Sequence, residues 1–217
     1  NAIFYDAAGL ATNKSLISFD GSGDYLSTPG STDFAFTGEF TLEMWANGDD
    51  WNTDSQVLFC YGGGGGGGRN SYQFWYMGQD NPEAFVFYTS TDGNNWTTIT
   101  EATTLALGQW YHIAVTRDSS NVVHIWLNGT ELGSGTSDAG TYFTPTSYNT
   151  FSVGGKTHGN IEEFEGEMDQ VRISNTARYT SAFTPSTTPF TTDANTLLLI
   201  QSDFSEGGLG ADHSGNY

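Results

Sequence analysis

The chain has 217 residues, a length that all-β domains reach undivided and that buries about 70% of the unfolded surface without covalent staples. Asp and Glu number 25 against 6 Lys and Arg, a formal net charge of −19, although charged residues make up only 14% of the chain. That balance excludes nucleic acid, because too few cations exist to neutralise a run of phosphates, and it excludes an anionic membrane surface for the same reason.

The acidity fits a solvated surface, surroundings rich in salt or divalent cations, or a calcium site. A single cysteine, Cys60, rules out an intrachain disulfide but not an extracellular home, since a chain of this size folds without one. No apolar run approaches the length of a membrane-crossing helix. The sequence begins Asn1-Ala2-Ile3 with neither initiator Met nor signal peptide, and it stops at Tyr217 just after a turn-like Asp212-His213-Ser214-Gly215. It reads as a piece of a longer polypeptide.

In chain order, the first clear strand spans 40–47. Phe40, Leu42, Met44 and Ala46 fall on one face and Thr41, Glu43, Trp45 and Asn47 on the other, the period of a half-buried strand. The same period predicts strands over 56–61, 72–77, 84–89, 110–117, 122–128, 150–154, 167–174 and 197–202. Turn signals such as Asp92-Gly93-Asn94, Asp118-Ser119-Ser120, Asn128-Gly129 and Gly133-Ser134-Gly135 separate them. Strands 110–117 and 122–128 read as a hairpin. Ten or more strands without an amphipathic helix predict an all-β fold, a two-sheet antiparallel β-sandwich or jelly roll, as a single domain over 1–217. Seven consecutive glycines occupy 62–68. A phosphate-cradling loop needs a Lys-Ser/Thr and a helix after it, whereas Arg69-Asn70-Ser71 and a strand follow, so this run reads as a hairpin loop.

Five segments in order resemble the laminin-G-like, concanavalin A-like lectin/glucanase jelly rolls. They are Ser15 to Leu26 with its Asp20-Gly21-Ser22-Gly23-Asp24 turn, Phe40-Thr41-Leu42-Glu43-Met44-Trp45, Gln109-Trp110-Tyr111-His112-Ile113-Ala114, Ile125-Trp126-Leu127-Asn128-Gly129, and Phe164-Glu165-Gly166-Glu167-Met168-Asp169 running on to Ser174. Ala177-Arg178-Tyr179 and Phe183-Thr184-Pro185 extend the likeness to a variety seen in large virion and bacterial surface proteins. Residues 195–217 resemble the lead-in strand of a following repeat. The resemblance implies two stacked sheets, one of them concave, and adhesion or carbohydrate binding more often than catalysis.

Asp20 and Asp24 lie on a glycine-rich turn that offers carboxylates and carbonyls to a hard cation such as calcium. The resemblance adds Asp169, the acid before an alternating late strand, as a third ligand. The alternative is that Asp20 and Asp24 cap the turn through Asx hydrogen bonds, and that Asp169 pairs with Arg172 or Arg117. Hydrolases of this fold carry Glu-x-Asp-x-x-Glu on one strand. Here Glu167-x-Asp169 opens that pattern, but Arg172 holds the sixth place, so the second carboxylate of a retaining glycosidase is missing and no enzyme is expected.

Alternation predicts a polar and aromatic face outside the core. If Phe40, Tyr111 and Val123 begin core series, then Glu43, Trp45, His112, His124 and Trp126 point the other way, with Gln73 and Trp75 joining them. Indoles beside Glu, Gln and His suit a sugar, which stacks its C–H face and offers hydroxyls. The alternative is that a loop or second layer covers this face. The four His residues show no zinc spacing, and Cys60 reads as a buried small apolar residue.

Two functions fit these residues. One is weak, multivalent glycan recognition by a calcium-bearing adhesion domain of an extracellular, cell-surface or virion protein. The other is a structural decoration that docks on other subunits, in a homo-oligomer or tandem array.

Overall fold

The computed structural model describes residues 16–63, 69–158, 162–203 and 208–212. These residues contain no helix. Their strands are β1 (Ile17–Asp20), β2 (Leu26–Ser27), β3 (Phe40–Gly48), β4 (Ser55–Gly62), β5 (Asn70–Met77), β6 (Ala84–Thr89) and β7 (Thr97–Ala102). The series continues with β8 (Tyr111–Arg117), β9 (Val122–Leu127), β10 (Thr130–Ser137), β11 (Phe151–Val153), β12 (Glu165–Ser174), β13 (Thr196–Asp203) and β14 (Gly208–Asp212). They form two antiparallel sheets. The larger runs β10-β9-β8-β3-β12-β13-β14, with β1 also pairing to β12, and the smaller runs β2-β11-β4-β5-β6-β7. This is the two-sheet sandwich that the alternation predicts.

Each sheet turns one face of its alternating side chains to the other. Phe40, Leu42 and Met44 of β3 and Ile113 and Val115 of β8 meet Tyr72, Phe74 and Tyr76 of β5 and Phe85 and Phe87 of β6 in one continuous core. Phe36 stacks on Phe40 at 4.8 Å between ring centroids, and Tyr61 lies 5.5 Å from Tyr72. Buried Tyr hydroxyls find carbonyl partners: Tyr61 donates to Ser31 and Tyr72 to Phe34, at 2.8 and 2.9 Å. Aromatic area of this size supplies the main driving force for closure.

The strands that alternation misses lie mostly at sheet margins. β7 reads Thr-Thr-Ile-Thr-Glu-Ala, with Ile99 its only core residue, and β10 is exposed along most of its length. An edge strand buries little, so it needs few apolar residues and leaves a faint signal. Gly133-Ser134-Gly135, expected as a turn, is instead an irregularity within β10, where the register to β9 shifts between Leu132 and Thr136. Asn128 and Gly129 make the turn before it, both with positive φ, 51° and 78°. A two-residue loop of that kind matches the twist of the flanking strands.

The glycine run joins β4 to β5 as a hairpin with Gly62 opposite Asn70, while 64–68 lie outside the described residues. Residues 196–203, expected to lead into a following repeat, pair with β12 through Val171 opposite Ile200 and extend this sheet. Residues 1–15 and 213–217 lie outside the described residues.

Candidate functional site

The outer face of the larger sheet carries Glu43 and Trp45 from β3, His112 from β8, and His124 and Trp126 from β9, as their alternation with the core requires. The face is closed. Residues 175–190 fold back across it as an irregular strap, and Glu43, His112 and Trp126 are each 0% exposed. Thr41 Oγ1 donates to the Thr176 carbonyl at 2.7 Å, Thr116 Oγ1 to the Tyr179 carbonyl at 3.0 Å, and the Phe183 N–H to the Gly129 carbonyl at 2.9 Å. Phe183 stacks on Tyr179 at 3.5 Å and lies 5.7 Å from Trp126, whose indole N–H donates to Thr116 Oγ1 at 2.9 Å. The open sugar face expected over Glu43, His112 and Trp126 is therefore corrected: a strap covers it, and these side chains offer a ligand no surface. Trp45 stays half-buried beside His112, at 5.5 Å between rings. His124 is half-buried, with Nδ1 2.6 Å from Glu131 and Nε2 3.6 Å from Asp118.

Under the strap Glu43 gathers a charged cluster. Its Oε1 accepts from Arg172, and its Oε2 meets His112 Nε2 at 3.2 Å and accepts the Tyr179 hydroxyl at 2.7 Å. Burial by itself pushes the Glu43 carboxyl up, but the His112 hydrogen bond, the Arg172 guanidinium and Tyr179 outweigh it and hold the group below its ordinary value.

The proposed calcium ligands do not converge. Asp20 Oδ1 accepts the Ser22 N–H at 2.9 Å, Asp24 Oδ2 accepts the Asp20 N–H at 3.2 Å, and the Gly23 N–H donates to Glu163 at 2.8 Å. These are turn-capping bonds. Asp20 pairs with Glu165 and Ile17 with Met168, so Asp169 lies four positions beyond Glu165, about 13 Å along the strand. Asp169 is buried and accepts the N–H of Gln170 at 2.7 Å, while Arg172 goes to Glu43 and Arg117 to the carbonyls of Asp138 and Gly140. Among the described residues no group of three or more His, Cys, Asp or Glu side chains is placed to hold a metal. Asp20, Asp24 and Asp169 therefore do not fit a shared calcium site.

The sixth expected ligand residue, Trp75, stands on the other sheet. In β5 the core series Tyr72, Phe74, Tyr76 turns Gln73 and Trp75 outward, and in β6 Phe85 and Phe87 turn Val86 and Tyr88 outward. Gln73 is the register partner of Tyr88 and Trp75 of Val86, which sets the two rings side by side. Trp75 and Tyr88 meet edge to face at 5.9 Å, and Tyr88 and Trp96 at 6.0 Å, giving an aromatic row across β5, β6 and the approach to β7. The Trp75 indole N–H donates to Gln73 Oε1 at 2.9 Å, and Val57 and Cys60 pack beneath the ring. Tyr88 and Trp96 remain half-buried. Burial pushes the Cys60 thiol up to about 12, as suits its expected packing role.

The segment after β11 crosses one side of this face. Gly154 turns the chain with a φ of 77°, where any Cβ would strike Phe19 at 2.6 Å. Lys156 then sets its Nζ 4.5 Å over the Trp75 ring and pairs with the Glu162 carboxylate, and the Glu162 carbonyl accepts the Val57 N–H at 3.1 Å. Burial, Asp80 and Glu162 together push the Tyr88 hydroxyl up. Trp75, expected as an open ligand residue, is only 8% exposed beneath Lys156, and the partly open rings are Tyr88 and Trp96. Those two rings, beside an ion pair and the threonines of β7, suit a ligand with apolar faces and many hydroxyls.

Residues 20–182 match the family described as the concanavalin A-like lectin/glucanases superfamily, Laminin_G_3. The chain belongs to this superfamily. No curated protein matches the sequence. Among solved structures, this concanavalin A-like domain is similar to a candidate carbohydrate-binding protein from Bacteroides ovatus, with 21% identity, a TM-score of 0.68 and coverage of 90% of this chain and 54% of the other. It is similar to the CBM40 domain of the Ruminococcus gnavus IT-sialidase bound to α2,3-sialyllactose, with 13% identity, a TM-score of 0.60 and coverage of 79% and 95%. It is also similar to the enzymatically active domain of tailspike protein 2 from bacteriophage CBA120, with 13% identity, a TM-score of 0.60 and coverage of 80% and 26%. At these identities the likeness is one of fold. The concanavalin A-like domain spans about half of the Bacteroides protein and about a quarter of the tailspike chain.

Within this concanavalin A-like domain, the residues of the Glu167-x-Asp169-x-x-Arg172 stretch have partners in the larger sheet. Glu167 accepts from the Asn47 amide at 3.1 Å, and Arg172 is held by Glu43. Sequence reasoning missed Tyr88, Trp96, Lys156 and Glu162. The outward direction of Tyr88 was readable from its place after Phe85 and Phe87. Trp96 lies in a turn region without periodicity, and nothing local marks Lys156 as crossing the sheet.

Proposed function

We propose that this domain is a non-catalytic carbohydrate-binding module of an extracellular, cell-surface or virion protein. In this reading it holds a glycan on the outer face of the six-stranded sheet. The observation that carries the reading is the row Trp75, Tyr88, Trp96, the outward rings of β5, β6 and the β7 approach. The carbohydrate-binding names among the fold neighbours support it. A single shallow face binds a sugar weakly, with Kd on the order of millimolar to micromolar, so adhesion by the parent protein relies on several copies. A non-catalytic role agrees with the engagement of Arg172 by Glu43 where a second acid would stand.

The test is a glycan array probed with a streptavidin-clustered form of the domain. Trp96→Ala and Tyr88→Ala each weaken binding by about tenfold, near 1.4 kcal/mol, with the melting temperature kept. Wild type that binds no glycan, or variants that bind as it does, would remove this face from consideration and leave docking on other subunits as the role.

A further inference from the structure

We propose that this face selects uncharged glycans over anionic ones, and that Glu162 sets the preference by holding Lys156. The inference rests on the glycan-binding reading and names the ligand class of the same site.

The charges around the aromatic row lead to it. The protein carries 6 Lys and Arg in all. Arg172 is spent on Glu43, Arg178 on Asp193, and Arg117 on two carbonyls under the Tyr142 ring, while Lys14 lies outside the described residues. Arg69 stacks over Tyr148 at 4.5 Å. Its N–H donates to the Gly93 carbonyl at 3.1 Å, three positions before Trp96, so it stands at the Trp96 end of the row with its guanidinium held by Tyr148. Among the described residues, Lys156 is the cation that lies over a ring of the row. Its ammonium is flat over the Trp75 indole and paired with Glu162, with the side chain only 8% exposed.

Asp80 and Glu162 both act on the Tyr88 hydroxyl. The Glu162 carboxylate thus balances the ammonium over the row, in a molecule of net charge −19. A carboxylated or sulfated sugar placed on the row gives up its hydration and, among the described residues, meets cations already paired or stacked. A neutral sugar needs only ring contact and hydrogen bonds. The CBM40 fold neighbour was solved with sialyllactose, an acidic glycan, so this domain departs from that neighbour in the ligand it takes.

The test compares matched neutral, sialylated and sulfated oligosaccharides on wild type, Glu162→Gln and Trp96→Ala, with melting temperatures measured alongside. Wild type prefers the neutral member of each set by about tenfold or more, and its neutral binding is unchanged between about 50 and 500 mM salt. Glu162→Gln frees the ammonium and raises acidic relative to neutral binding by about tenfold, a gain that high salt removes. Wild type that binds acidic glycans as well as neutral ones, with both lost in Trp96→Ala, would overturn the inference while leaving the glycan site standing. An unmoved preference in a folded Glu162→Gln would overturn the role of Glu162. The wild-type comparison stands whether or not that variant folds. Loss of no glycan in Trp96→Ala would instead strike the site itself, and the inference with it.

Discussion

Glu43 and Arg172 are register partners across β3 and β12, and Glu43 Oε1 accepts Arg172 Nε at 2.8 Å and Nη2 at 2.7 Å. The pair is buried, and the Tyr179 hydroxyl joins it from the strap. The most polar group on the outer face of the larger sheet thus serves as the anchor that seals it. Burying two charges costs several kcal/mol, which mutual contact and added hydrogen bonds offset only when complete. His112 and Tyr179 provide that completion.

Glu43→Gln leaves Arg172 buried without its anion and is expected to lower stability by about 3–5 kcal/mol at neutral pH. The pH dependence has a definite sign. The folded-state Glu43 carboxyl lies below its ordinary value of 4.5, so its contribution is fully present above about pH 4.5 and is lost as the pH falls through the lowered folded value. Urea unfolding of wild type and Glu43→Gln across pH 7 to pH 3 reads this directly. A difference between the two proteins that stays constant over that range would refute it.

At Gly129, in the β9–β10 turn, the strap packs backbone against backbone. The glycine φ is 78°, and a Cβ there would lie 1.9 Å from the Phe183 carbonyl oxygen. Gly129→Ala is expected to lower stability by about 1–3 kcal/mol, combining a strained backbone with displacement of the strap. The Trp126 indole N–H, bonded to Thr116 under Phe183, then exchanges faster with solvent. Hydrogen exchange of that proton by NMR is the measurement, and an unchanged rate in a destabilised protein would place the strain elsewhere.

Asp169 gives a third expectation. It stands about 13 Å along β12 from the partner of Asp20, and its carboxylate caps Gln170, whose φ is 52°. Asp169→Ala is expected to cost about 1–3 kcal/mol through the unpaired buried N–H, by the same amount in excess calcium and in chelator. Differential scanning calorimetry in both buffers checks this. A loss confined to the calcium buffer would return Asp169 to the metal.

Local pattern alone determined a good deal about this protein. Alternation predicted the sandwich and most of its central strands, and it sorted Phe40 from Glu43, Ile113 from His112 and Ile125 from Trp126 correctly, because side-chain direction along a strand is a property of neighbouring residues. Tertiary structure decided what lies over each face. Tyr179 reaches Glu43 from 136 positions away, so nothing near β3 or β9 announces that Glu43, His112 and Trp126 are covered. Strand pairing decided that Trp75 belongs with Tyr88 and Trp96 on one sheet, while Trp45 and Trp126 share the other. It also decided that Asp169 lies far from Asp20, because a register is set by the whole β1–β12 ladder. Period two encodes which way a side chain points, but the occupant of the space it points into comes from distant segments whose packing energy is shared by the entire fold.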